Sequence, residues 1–537
     1  MKKITIITTL ASLLLSSFSL FAGSEDSVKY ANWQNLDPKE DKTWGISTEK
    51  AYSELLAGKE SKTIVVAVID NGVDINHEDL KGHIWVNEDE IPDNGIDDDN
   101  NGYIDDVHGW NFLGNSEGEN INEAPLEVTR LYKIYSDKFK DMDLDSLKKA
   151  GNTEVESYET VLREFETDVM NYTSQKARFE QIVSNYNNYD KIVAEALGKE
   201  NYTYDDVKKL KFEKETQADS AQKFMKRMKK YNVTPSMFDG ALEYFDSRLK
   251  YHYNPEFSAR TLIGDDIADW NDNSYGNNIV DAAKPDHGTM VASIIAADRN
   301  NNIGIKGIAD NVIIMPIRAV PDGDEWDKDV ALAIKYAIDN GAEIVNMSFG
   351  KSFSPQKEFV DEVIKLADEK NVLLVHAAGN DNENVDIAKN FPNQYNAEGK
   401  VIINNWLTVG ASAKDKKKKE FVASFSNYGK KTVDLFAPGY EILMCAPGNK
   451  YESASGTSMA SPMVAGAAAL VKSYYPNLTA AELKEILLES SATKDIKVLL
   501  PGTGGKNKQY VPFSSLSTTG GLLNVYKALQ LAEEKSK

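Results

Sequence analysis

The 537-residue chain is too long for one ordinary core, so a large domain with an added segment is expected. A formal net charge of −22 argues against nucleic acid as a partner, because phosphate binding needs a basic face, and suits an exported or calcium-carrying protein. The single cysteine, Cys445, excludes an internal disulfide and reads as a small buried hydrophobe.

Residues 1–22 read as a secretory signal: Lys2 and Lys3, an apolar stretch, then Leu20-Phe21-Ala22 as a cleavage site. The protein is therefore expected to be secreted or periplasmic, with no membrane span once the signal is removed. Residues 23–121 read as the first part of an α/β domain. "TIVVAVID" (63–70) is a β-branched run ending in a carboxylate, as in a strand buried on both faces of a parallel sheet.

"DNGIDDDNNGYIDD" (93–106) places Asp97, Asp99, Asn101 and Gly102 in the D-x-D-x-[DN]-G order of a calcium loop. The twelfth position is His108 rather than Glu, which excludes a standard EF-hand, and Asp105 or Asp106 is left to supply oxygens. Calcium is expected on Asp97, Asp99, Asn101 and Asp105; a self-capped acidic turn is the alternative. "GDDIADWNDNSYGNNIVD" (264–281) is a weaker candidate for a second ion.

"VHGWNF" (107–112) reads as a strand, after which the composition changes. Residues 122–257 are rich in Lys, Glu, Asp and Tyr and read as a helical insertion. Tyr158, Leu162, Phe165, Val169, Tyr172, Phe179, Ile182 and Tyr186 recur at helical steps, and residues 206–231 read as a partner helix. Because its ends flank the motifs carrying Asp70 and His287, a lid over a cleft is expected. A homodimer contact through its many aromatic residues, an inhibitory segment, and a solvated helical hairpin with no part in the chemistry are the competing readings.

Residues 258–537 resume the α/β pattern. Further strands are expected in 311–320, 343–349 and 371–379, with helices at 328–341 and 357–370 between them. The fold class is thus α/β, a doubly wound, mostly parallel sheet with a long helical insertion. Such sheets gather their chemistry at strand C-termini, where Asp70, Ser348 and Asn380 fall.

Three stretches belong together: "VIDNGVDINHEDL" (68–80), "DHGTMVASIIA" (286–296) and "SGTSMASPMVAG" (455–466). Alone, Asp70 or Ser458 reads as a helix cap and His287 as a surface histidine. Together they suit nucleophilic catalysis: Ser458 attacks, His287 takes its proton, and buried Asp70 holds the ring and stabilises its charged form. Ser458 at a helix start also offers its backbone N–H to an oxyanion. Pro462 reads as lying in the first helical turn, where a missing N–H is harmless.

The three stretches resemble the motifs of the subtilisin-like serine peptidases, the subtilases. The resemblance implies a triad of Asp70, His287 and Ser458. "HAAGND" (376–381) implies Asn380 as the side-chain oxyanion donor, and "VNMSFG" (345–350) implies a strand whose edge binds substrate backbone. Specificity is implied for Ser348, Phe349, Gly350, Ala378 and Gly379 as pocket walls and Asn390 near the base. The expected pocket is uncharged and apolar, with Lys351 at its rim adding tolerance for acidic residues. Asn71, Met290 and Ser293 depart from common family residues, and the side-chain amide of Asn71 is expected to donate to Asp70 instead. Residues 30–56 resemble the start of a mature domain, so no inhibitory propeptide is expected. The expected activity is that of a secreted serine endopeptidase acting on peptide or protein substrates. The rival readings are a non-catalytic binding protein displaying the helical insertion, or an exopeptidase or ligase of the same fold.

Overall fold

The computed structural model describes residues 31–537 apart from 283, 415–420 and 506, so the signal segment 1–22 lies outside the described residues. The described chain divides into two compact units, 128–258 and the combination of 31–127 with 259–537.

The larger unit is built on β1 (Ile64–Asp70), β2 (Trp110–Asn111), β3 (Val312–Arg318), β4 (Ile344–Met347), β5 (Leu373–Ala377), β6 (Trp406–Ser412) and β7 (Leu435–Pro438). With two short strands, Ala492–Thr493 and Gly521–Leu522, they form one sheet. Its order is Ala492–Thr493, Gly521–Leu522, β7, β6, β5, β4, β1, β3, β2. Every pairing is parallel except that between the two short strands. From β1 the chain first builds β2 and β3 on one side, then β4 to β7 on the other. Asp70 therefore ends the strand at which the winding reverses, the place where open parallel sheets leave a crevice.

Alternation along β1 feeds two cores. Val66 and Val68 join one with Val291, Ile295, Met463 and Val464; Ala67 and Ile69 join the other with Val330, Ile334, Val360 and Ile364. The first core carries helices α1 (Asp286–Ala296) and α4 (Thr457–Tyr474), the second α2 (Asp327–Asp339) and α3 (Lys357–Glu369). Each buried Val or Ile contributes about 1.5–3 kcal/mol by leaving water. Gly466 sets the close approach on the α1 side: a Cβ there would sit 3.0 Å from Ile308 Cβ and 3.4 Å from Ile295 Cα. A hairpin, β8 (Ile442–Ala446) with β9 (Lys450–Ala454), delivers the chain to α4. Cys445 is buried there, and that burial pushes its thiol pKa up.

The unit of residues 128–258 is helical, dominated by the 45-residue helix Thr153–Leu197. The partner helix expected over 206–231 is broken into Tyr204–Lys209 and Gln217–Lys230. The break is capped: Thr216 accepts the Asp219 amide and opens the second helix. Phe179, Tyr186, Phe238 and Phe245 are buried in this unit's own core. Among the described residues no helix is long and apolar enough to cross a membrane.

Candidate active site

Asp70 is 1% exposed at the C-terminal end of β1. Its Oδ1 lies 2.7 Å from His287 Nδ1 and also accepts the Asn71 backbone N–H at 2.8 Å. The expected side-chain donation from Asn71 is not what forms. Its Nδ2 instead donates to Lys284 O and Asp286 Oδ1, and its Oδ1 accepts the Gly288 N–H. Asn71 thus clamps the first turn of α1, which carries His287. Burial lowers the imidazole pKa, but the charge and hydrogen bond of Asp70, helped by Asp286, outweigh it and hold the ring above its ordinary value.

Ser458 is the second residue of α4, half-buried, and its Oγ donates to the Ser348 carbonyl at 3.0 Å. Ser348 Oγ donates back to the Ser458 carbonyl at 2.9 Å. This return bond explains Pro462, which lies beyond the first turn rather than within it. A residue with an N–H at 462 would bond the Ser458 carbonyl four positions earlier. Proline cannot, and Ser348 supplies the donor. Asn346 Nδ2 donates to Ser348 Oγ, and Ser461 Oγ donates to Asn346 Oδ1. A buried polar chain therefore ties the ends of β4 and α4 together.

Asn380 Oδ1 accepts both the backbone N–H and the hydroxyl of Thr457, at 2.8 and 3.0 Å. That fixes the amide so that Nδ2 remains to donate elsewhere. A Cβ built on Gly456 would sit 3.6 Å from both Asn380 Nδ2 and Ser458 N, so the two donors border one small space. Asn427 is the organiser of this segment. Its Oδ1 accepts the amides of Asp381 and Glu383, and its Nδ2 donates to Ala378 O at 3.0 Å. Gly379, at φ +99°, leaves no room for a side chain, since a Cβ would lie 2.4 Å from Asn427 Nδ2.

Ser348 is buried, Phe349 half-buried and Gly350 exposed, in the segment that follows β4. Asn390 Nδ2 donates to Ala378 O and Ala377 O at 3.0 and 3.3 Å. A Cβ on Gly350 would come within 2.5 Å of Asn390 Oδ1, so Asn390 lies between the two expected walls. His376 supports them from below: its Nε2 lies 2.8 Å from Phe349 O, and burial pulls its pKa down to about 4, so the neutral ring donates that hydrogen. Lys351 corrects the sequence reading. It is not a rim residue but a buried one, paired with Glu127 and Asp327.

In the acidic loop, Asp97 accepts the amides of Asn101 and Gly102, and Asp105 those of Asn94 and Gly95. The carboxylates that converge, within 4.8 Å of one another, are Glu90, Asp99 and Asp106. Asn101 contributes its side-chain amide, which donates to Asp99 and Asp106. Glu90 lies outside the motif and was not signalled by it. In the second acidic stretch, Asp265 is paired with Arg260 and Lys328.

A carboxylate–imidazole pair at the crevice of a parallel sheet, with a serine at a helix start beside an amide donor, is the arrangement used by serine hydrolases. The model of the Subtilase family matches residues 61–511, and the chain belongs to that family. Its relatives include the thermophilic serine proteinase of Bacillus sp. (strain AK1), 35% identical over 45% of this chain and 54% of the relative. The cell wall-associated protease of Bacillus subtilis (strain 168) is 33% identical over 52% of this chain and 29% of that protein. Subtilisin BL of Lederbergia lenta is 34% identical over 42% of this chain and 76% of that protein. The chain spans about half the length of the first of these relatives and less of the second. Among solved structures, a chain described under "Structural basis of subtilase cytotoxin SubAB assembly" is 27% identical, with a TM-score of 0.40 over 49% of this chain and 81% of that one.

Proposed function

We propose that this protein is an exported serine endopeptidase with Asp70, His287 and Ser458 as its triad. The observation that carries the reading is the 2.7 Å Asp70–His287 bond in a chain of the subtilase family. With Nδ1 bonded to Asp70, Nε2 is the ring nitrogen left to take a proton. The Ser458 hydroxyl leaves the Ser348 carbonyl, turns to Nε2, and gives up its proton as Oγ attacks the scissile carbonyl. The carbonyl oxygen becomes an oxyanion, met by Ser458 N–H and Asn380 Nδ2. Collapse breaks the C–N bond, and the leaving amine takes the proton from His287. Water then repeats the sequence on the acyl-enzyme, its proton passing through His287 back to Ser458. Asp70 stabilises the imidazolium in both halves.

The walls Ser348–Gly350 and Ala378–Gly379, with Asn390 between them, support a pocket for uncharged, medium or large apolar side chains. No carboxylate belongs to this set, and a strong preference for Arg or Lys before the cut would refute it. Calcium is proposed at Glu90, Asp99 and Asp106. Burial, and then the charges of neighbouring carboxylates, raises the pKa of Glu90 and of Asp106, and the converging groups are the hard oxygens that calcium takes. Export rests on the signal reading of residues 1–22. The test of the activity is labelling by a fluorophosphonate: the folded protein becomes modified at Ser458, and absence of labelling would favour a binding protein that has lost catalysis.

A further inference from the structure

Lys351 directly follows the segment proposed to hold substrate, yet its side chain is 1% exposed. Its Nζ reaches Glu127 Oε2 at 2.8 Å, Asp327 Oδ1 at 2.9 Å and the Glu325 carbonyl at 2.8 Å. An ammonium has three N–H groups; here it donates to the Glu127 carboxylate and the Glu325 carbonyl and lies against the Asp327 carboxylate. Burying such a charge is unfavourable unless it is fully paired, so its geometry is tightly constrained.

The backbone of Lys351 is equally tied. Its N–H donates to Phe391 O at 3.0 Å and its carbonyl accepts the Phe391 N–H at 2.9 Å. Phe391 adjoins Asn390, which holds the carbonyls of Ala377 and Ala378. Lys351 is therefore the point where one proposed wall, Ser348–Gly350, is joined to the other, Ala378–Gly379. From the far side, Asp327 also accepts Ser354 Oγ and Gln356 N–H, both at 2.9 Å, so the turn after Lys351 folds around the start of α2. Glu127 is steadied in turn by its own N–H, which donates to Asp324 Oδ2 at 2.8 Å.

We infer that Lys351 is a positioning residue for substrate: its buried ammonium holds the Ser348–Gly350 wall in register with the Ala378–Gly379 wall. Binding of an extended peptide then depends on a charge that no substrate touches. The inference rests on the peptidase reading and deepens it. Glu127 belongs to the same device, and it is also the first residue of the helix Glu127–Phe139.

The test compares native protein with Lys351→Met and with Lys351→Met/Glu127→Gln, whose cluster carries the native net charge. Four quantities are read: melting temperature, the kcat and the KM of an extended chromogenic peptide, and the rate of fluorophosphonate labelling at Ser458. Lys351→Met is expected to raise KM about tenfold, with kcat and the labelling rate changed by about threefold or less. The double variant is expected to regain melting temperature but keep the raised KM, because the tether from residue 351 to Asp327 and the Glu325 carbonyl is still missing. If Lys351→Met fails to fold, the double variant gives the same reading. A native KM in either folded variant would overturn the inference. Unlabelled native protein would overturn the peptidase reading itself, whereas normal labelling with an unmoved KM overturns only the role of Lys351.

Discussion

Replacing Ser348 with alanine should weaken the helix that carries Ser458, although the two residues are 110 positions apart. The Ser458 carbonyl lacks the usual helical donor four residues on, because position 462 is proline, and Ser348 Oγ reaches it at 2.9 Å. Ser348→Ala leaves that carbonyl without its hydroxyl donor and removes the acceptor of Asn346 Nδ2. An unmet buried polar group costs about 1–3 kcal/mol. Losing one oxygen leaves only a small cavity, so a loss of about 2 kcal/mol is expected. Urea denaturation in a Ser458→Ala background measures it without self-digestion. Pro462→Ala restores a backbone N–H at the position that faces the orphaned carbonyl. Ser348→Ala/Pro462→Ala should therefore recover much of the loss, giving a coupling of about 1 kcal/mol or more in the double-mutant cycle. Effects that add to within about 0.5 kcal/mol would refute the reasoning, because they would mean that the hydroxyl and the proline act independently.

Asn380→Ala should reduce kcat by about 10²–10³ and leave residual turnover through the Ser458 N–H, a magnitude carried over from another subtilase; full turnover would remove Asn380 from the oxyanion site. The pH profile of kcat/KM should fall on the acid side with a midpoint above the ordinary imidazole value of 6.5, since the raised pKa keeps His287 protonated, and unable to accept, to higher pH. Asp70→Asn should bring that midpoint down. The contribution of His287 to stability has the opposite window: it is fully present below the unfolded-state pKa and lost as pH rises through the folded value. EGTA should lower the melting temperature, with calcium and not magnesium restoring it by binding linkage, and Asp99→Asn should abolish the response. An unchanged melting temperature would leave the acidic loop as a self-capped turn.

Most of the sheet was legible because β1, β3, β4 and β5 are runs of β-branched or aliphatic residues buried on both faces. Of the candidate site, the Asp70–His287 pair and the anchoring of Asn380 at the start of the Ser458 helix involve residues that the motifs single out. What escaped is what depends on partners distant in the chain. A lysine at 351 reads as surface until oxygens from Glu127, Glu325 and Asp327 converge on it. Pro462 reads as harmless until the helix start is located and the Ser458 carbonyl is counted. In the acidic loop Asp97, Asp105 and Glu90 all accept backbone amides, and the carboxylates that converge include Glu90 from outside the motif. β6 (Trp406–Ser412) carries Gly and Ser within a buried strand, so its composition does not resemble that of its neighbours. The helix expected over 206–231 looked continuous by periodicity, while the Thr216 cap that interrupts it is a single-residue signal.

The separation of Asp70 from His287, 217 positions along the chain, has a consequence for folding order. Bringing two such distant residues together closes a long loop, and non-local contacts of this kind slow folding. The 128–258 unit sits inside that loop and has a core of its own built largely from helix contacts. If it collapses first, the flexible span shortens by about 130 residues, and the closure entropy falls by only about 0.8 kcal/mol. The larger effect is kinetic: a folded helical unit removes its exposed aromatic side chains from the search for sheet partners. Mutations that unfold the unit of residues 128–258 should thus appear first as slow or aggregation-prone assembly of the sheet, with site geometry normal in the molecules that complete it.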